Sequence, residues 1–432
     1  MSSFGRSNRN NRRLTSLFFD QQQDIDHDDE TILASNILIQ PGVVPKGLSP
    51  EFQQQEQQQQ LGNRVDKKRA PKIGVLILIA FFVIGASNYI ISSIQSYGTA
   101  TDVEKRSNDT DVSLIQSSVV SFRETRKEMS KPNLDSKGKP IKVPPELANL
   151  ADMKIASGQN HEVPIFWHVP RSGGSSLKDI ASFCYDLTLA SEVGPIIDPD
   201  AGVQDQLITV VDTNTGAKFL NVDTTTPEGL ERAMKFDIAS SQDLDLIVTP
   251  YIFQASDSLF NAENQGRFIV LFRHPIDRAV SMYYYLRDKA GIRGAHIGGT
   301  LDLYTKSSMV ENNWMTRFLT NKMGGELTPE DEAMAKEILR TKCLVGLLSE
   351  KTESMRRFQE YFGWREKYEN HQNQDCQDKL LQWGWRGKNK HQMIKEGSDA
   401  WNLLKEQNTF DIRLYEYAVK LFEVQGVTLF SS

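Results

Sequence analysis

The sequence predicts an α/β fold, a parallel sheet flanked by helices, preceded by a single transmembrane helix. Three observations predict it. Compact apolar runs alternate with blocks of helical spacing between about residues 161 and 428. Alternation of this kind implies a mostly parallel sheet covered by helices. An uncharged apolar segment, Ile73–Ile91, supplies the ~20 residues needed to cross a bilayer core. Before it, residues 1–72 are too polar to pack a core of their own.

In chain order, residues 1–72 read as a disordered cytoplasmic arm. They include the basic run RSNRNNRR, the acidic run QQQDIDHDDE and the glutamine tract EFQQQEQQQQ. Residues 73–94 read as a signal-anchor helix that contacts membrane lipid. No charge occurs between Lys72 and Asp102, whereas Arg64, Lys67, Lys68, Arg69 and Lys72 crowd the preceding flank. Positive residues stay cytoplasmic, so the expected arrangement is single-pass type II, with everything after about residue 95 lumenal or extracellular. The segment begins too far from Met1 for a cleaved signal peptide.

Residues 95–160 read as a stem. Pro132, Pro140, Pro144 and Pro145 interrupt any continuous helix. Val112, Ile115, Val119 and Phe122 have heptad spacing over less than two heptads, which admits a stem homodimer without requiring one. Asn108 begins a glycosylation sequon on the expected lumenal side.

The remainder, 161–428, reads as one catalytic domain. PIFWHV, DLIVTPYIF, RFIVLF and CLVGLL read as strands. Leu177, Ile180, Ala181, Cys184 and Leu187 follow helical spacing. Pro275 suits a first helical turn, and Thr328 caps a helix with Glu330 and Asp331 in its first turn. Ile412, Tyr415, Val419 and Phe422 form a helical stripe that Gly426 is expected to close.

Composition excludes some functions. The chain of 432 residues is 39% hydrophobic, enough for an ordinary core, and its net charge of −6 argues against a broadly basic nucleic-acid binder. Its seven histidines and three cysteines are too scattered to suggest a structural zinc site.

The chemistry concentrates in two places. The first is Arg171-Ser172-Gly173-Gly174-Ser175-Ser176, between the first strand and its helix. The first-turn N–H groups of a helix lack internal partners and favour an anion. Glycines let the backbone approach it, serines donate hydroxyls, and Arg171 brings a planar, permanent charge. The loop lacks the G-x-x-x-x-G-K-[ST] of nucleotide triphosphatases and the G-x-G-x-x-G of dinucleotide folds. The second place is RFIVLFRHPIDRAVS, where Arg273 ends a strand and Ser281 follows inside the next helix. Two strand-end anion sites in one domain suggest a ligand with phosphates at two places.

Together, HVPRSGGSSL and RHPIDRAVS resemble the membrane-bound, Golgi-type carbohydrate sulfotransferases, and NTFDIRLYEYAVKLF resembles that family's terminal helix. The resemblance implies a P-loop-like sheet and a co-substrate, 3′-phosphoadenosine 5′-phosphosulfate (PAPS), with no metal. It implies that Arg171, Ser172, Gly173, Gly174, Ser175 and Ser176 hold the 5′-phosphosulfate, with Arg171 catalytic, and that Arg273 and Ser281 hold the 3′-phosphate. The implied reaction moves a sulfuryl group to a hydroxyl of a glycan, or less readily a secreted-protein tyrosine, in the Golgi lumen. Two positions depart from the family's common pattern. Arg171 stands where many members carry lysine, so it can stabilise charge but cannot give up a proton. His274 stands where aspartate is common.

For the general base, Glu162, Asp186, Glu192 and Asp257 flank the strand and helix blocks, and His161 and His168 lie close by. Three cysteines in an oxidising lumen leave one thiol unpaired, and proximity suggests Cys343–Cys376. Two other readings stay open: a different nucleotide-dependent transferase or kinase, and a silent membrane scaffold.

Overall fold

The computed structural model describes residues 120–153, 162–288, 299–364, 371–383 and 394–430. The expected cytoplasmic arm, the transmembrane helix at 73–94 and the sequon at Asn108 lie outside the described residues. Among the described residues, no helix is long and apolar enough to cross a membrane.

Thr125–Phe430 falls in one compact unit. Its centre is a seven-stranded sheet made of β1 (Val163–Trp167), β2 (Leu189–Ala190), β3 (Thr209–Val211), β4 (Lys218–Leu220), β5 (Leu246–Thr249), β6 (Gly266–Phe272) and β7 (Cys343–Leu347). The spatial order is β3-β4-β2-β5-β1-β6-β7. Every pairing is parallel except β3 with β4. The α/β class and the mostly parallel sheet therefore stand as expected.

The strands read from sequence are those buried on both faces, as parallel strands under two helical layers must be. Alternate side chains serve the two faces. Ile165, Trp167, Phe268, Val270 and Phe272 join one core; Phe166, Ile269 and Leu271 join the other. The first core packs helices α2 (Pro227–Lys235), α3 (Ile252–Leu259), α5 (Trp314–Thr320), α6 (Pro329–Lys342) and α10 (Thr409–Phe430). The second packs α1 (Gly174–Asp179), α7 (Lys351–Phe362) and α8 (His371–Trp383). Helices α4 (Pro275–Asp288) and α9 (Asp399–Gln407) share a smaller apolar cluster of Ile276, Ala279, Val280 and Leu404.

The caps follow the sequence. Pro275 opens α4. Thr328 and Asp331 form a reciprocal capping box on α6. Met129, Leu147 and Leu150 are buried in the first core, so the packed unit begins before residue 161.

Two expectations are corrected. Gly426 does not end the last helix, which runs on to Phe430. The glycine instead makes room for Arg357: a Cβ there would lie 2.4 Å from its Nη2. Beyond it, Leu429 and Phe430 still find apolar partners, so the helix has reason to continue. The disulfide joins Cys184 to Cys376, not Cys343 to Cys376. Cys343 begins β7, at the edge of the sheet beside β6, but its side chain is buried in the first core, which puts its thiol out of reach and pushes its pKa up.

Candidate functional site at the strand switch point

The chain leaves β1 toward β2 on one side and leaves β6 toward β7 on the other. The loops after β1 and β6 therefore diverge, and ligands of open α/β sheets bind at such a crevice. Both motifs lie there. Arg171, Gly173, Ser175 and Ser176 line one cleft with Arg273 and Ser281. Leu177, Ile180, Leu271, Leu348, Lys351, Met355, Leu380 and Leu381 complete its walls.

The two motifs touch. Arg171 Nε donates to Ser281 Oγ at 3.3 Å, and Arg273 Nη1 donates to the carbonyl of Arg171 at 3.2 Å. Arg171 has left-handed backbone, φ 62°, which is uncommon away from glycine. Its guanidinium lies over the ring of Tyr285, 4.6 Å from the centroid. Removal from water lowers the pKa of Arg273, Asp277 opposes that, and the charges of Arg171 and Arg278 lower it further. The cleft thus combines the guanidiniums of Arg171 and Arg273, the ammonium of Lys351 and three serine hydroxyls with an apolar lining.

Ser172 and Gly174 do not line the cleft. Ser172 is buried, and its Oγ has no hydrogen-bond partner. Gly174 opens α1, where a Cβ would stand 2.4 Å from His168 Cδ2. Gly173 has φ 90°, and a Cβ on it would meet Leu348 Cδ1 at 2.7 Å. Both glycines are therefore required by close approach, one by backbone conformation as well. Arg278 is structural: it donates to the Pro170 carbonyl at 3.5 Å and pairs with buried Glu311.

The candidate bases separate clearly. Glu162 sits at the opposite end of the sheet, bidentate on Arg267 at 2.6 and 2.8 Å. Asp186 is an exposed partner of Lys218 at 2.6 Å, and Asp257 is exposed on α3. His161 lies outside the described residues. Glu192, two residues past β2, is the one that reaches the region of the loop: it pairs with Lys178 of α1, and its Oε2 is buried without a hydrogen-bond partner. Burial would raise its pKa, but the Lys178 ammonium overrides this and holds the carboxyl below its usual range. His168, just past β1, is pushed down to about 4 by removal from water, with Lys178 adding to the effect. It is neutral at physiological pH.

Sequence reasoning missed Tyr285 and the apolar wall. Tyr285 lies four residues after Ser281 on α4, so helical spacing carried the signal. Leu380 and Leu381 come from a helix far along the chain, and nothing local announces them. Among the described residues, no group of three or more His, Cys, Asp or Glu is arranged to hold a metal ion. No family model matches the chain, and no curated protein does either.

Proposed function

We propose that the protein is a sulfotransferase that moves a sulfuryl group from PAPS to an acceptor hydroxyl. The observation that carries the reading is the convergence of Arg171, Ser175 and Ser176 from one strand end with Arg273 and Ser281 from the next, in one cleft. The donor set fits a nucleotide phosphorylated at both ends of its ribose: two fixed guanidiniums, hydroxyls, the first turn of α1, and a glycine where a Cβ would close the cradle. In this reading the sheet is P-loop-like, Arg273 and Ser281 hold the 3′-phosphate, and the Arg171–Ser176 loop faces the 5′ end.

PAPS supplies the sulfuryl group and leaves as 3′-phosphoadenosine 5′-phosphate (PAP). Arg171 stabilises the negative charge that develops on the departing phosphate; as a permanent cation it does so without proton transfer. Glu192, paired with Lys178 of the helix that follows the loop, takes the acceptor's proton. Lys178 keeps it ionised and oriented for that role. The acceptor is a glycan hydroxyl or, less readily, a tyrosine of a secreted protein. The reading includes a type II anchor at 73–94 and a lumenal Golgi location for the domain.

Transfer of labelled sulfate from PAPS to a panel of polysaccharides and tyrosine peptides tests it. We expect transfer by the parent, loss in Arg171→Ala and Arg273→Ala, and a fall of roughly a hundredfold or more in Glu192→Gln with PAP binding retained. No transfer by the parent to any acceptor, with retention on ATP rather than PAP resin, would favour a kinase-like enzyme instead.

A further inference from the structure

The disulfide joins two elements that each line the ligand cleft. Cys184 ends the turn of π-helix, Ile180–Cys184, that continues α1, and Ile180 at the start of that turn lines the cleft. Cys376 lies on α8, one helical turn before Leu380, and Leu380 and Leu381 form the facing wall. The cysteines are 192 residues apart in sequence, and their bond ties α8 covalently to the turn that continues α1, beside the apolar packing of Leu380 and Leu381 in the second core. Tyr185 Oη, just past that turn, donates to Gln377 Oε1 of α8 at 3.1 Å, while Gln359 and Lys351 of α7 donate to the same oxygen and to the Leu381 carbonyl.

We propose that the Cys184–Cys376 disulfide is a positioning element of the cleft, holding α8 so that Leu380 and Leu381 form the wall against which the nucleotide base packs. This rests on the functional reading above. The phosphate-binding side chains come from the loops after β1 and β6 and from the helices α1 and α4 that follow them, none from α8. With the bond open, α8 is the element released from the β1–α1 unit, so the base loses its wall while the phosphates keep their partners. A purely stabilising crosslink would show no such selectivity.

Calorimetric titration of the folded protein tests this with two ligands: PAP, and an abasic analogue that keeps the ribose and both phosphates. Each is titrated before and after treatment with a dithiol, which becomes a disulfide as Cys184 and Cys376 become thiols; Cys343 is outside the bond. The expected result is a loss of about tenfold in PAP affinity and less than about twofold for the abasic ligand. Leu380→Ala and Leu381→Ala in the oxidised protein should reproduce the selective loss, which keeps the test decisive should the reduced form unfold. Equal PAP affinity before and after reduction, or equal losses for both ligands, overturns the inference while leaving the functional reading in place. A parent that binds no PAP overturns both.

Discussion

Arg171 carries several constraints at once. Its backbone is left-handed, its carbonyl accepts from Arg273, its Nε donates to Ser281, and its guanidinium rests on Tyr285. Strained backbone that persists because its surroundings determine it is characteristic of ligand-holding positions. The Tyr285 ring face offsets part of the repulsion between Arg171 and Arg273, a contact worth about 1 kcal/mol. Tyr285→Leu should weaken PAP binding roughly fivefold, while Tyr285→Phe, which keeps the ring face, should bind like the parent. Equal affinities in calorimetry for both variants would show that the ring does not position Arg171. The arginines and serines were legible from residue type and spacing. The division of labour among Ser172, Ser175 and Ser176 was not, because it depends on which hydroxyl the turn rotates inward.

The elements were legible where burial made them so. β1, β5, β6 and β7 are continuous apolar runs because helices cover both faces. β2 has two residues, and β3 and β4 three each, too few for any periodicity to register. Gly426 looked like a helix stop because glycine commonly is one, yet its lack of a side chain serves Arg357 packed against it. Cysteine pairing was misread because closeness in sequence says little once a sheet intervenes. β7 places Cys343 in the interior, whereas α8 and the turn after α1 bring Cys376 and Cys184 together. The four candidate acids looked equivalent in sequence. That Glu162 lies at the opposite end of β1 from the loop follows from the strand between them, but only the sheet order reveals that Glu192 follows a strand ending near the loop.

For the whole molecule, the cluster under the loop couples stability to pH. The folded pKa of His168 lies at about 4, below the unfolded 6.5. Between those values the unfolded chain binds more protons than the folded one, so this group makes stability fall as pH drops from about 6.5 toward 4, by roughly 2–3 kcal/mol at the lower end. Above that window the contribution is constant. His168→Gln should flatten this part of the profile in chemical denaturation; an unchanged slope would show that His168 is not the responsible group.

The central claim is that residues at the ends of β1 and β6 grip opposite phosphates of a single nucleotide. Calorimetric titration of PAP and of adenosine 5′-phosphate, which lacks the 3′-phosphate, against the parent, Arg171→Ala and Arg273→Ala measures it most directly. The account predicts that the parent prefers PAP by at least about tenfold and that Arg273→Ala abolishes this preference. It also predicts that Arg171→Ala weakens both ligands alike. A parent that binds the two equally, or an Arg273→Ala variant that keeps the full preference, would contradict it.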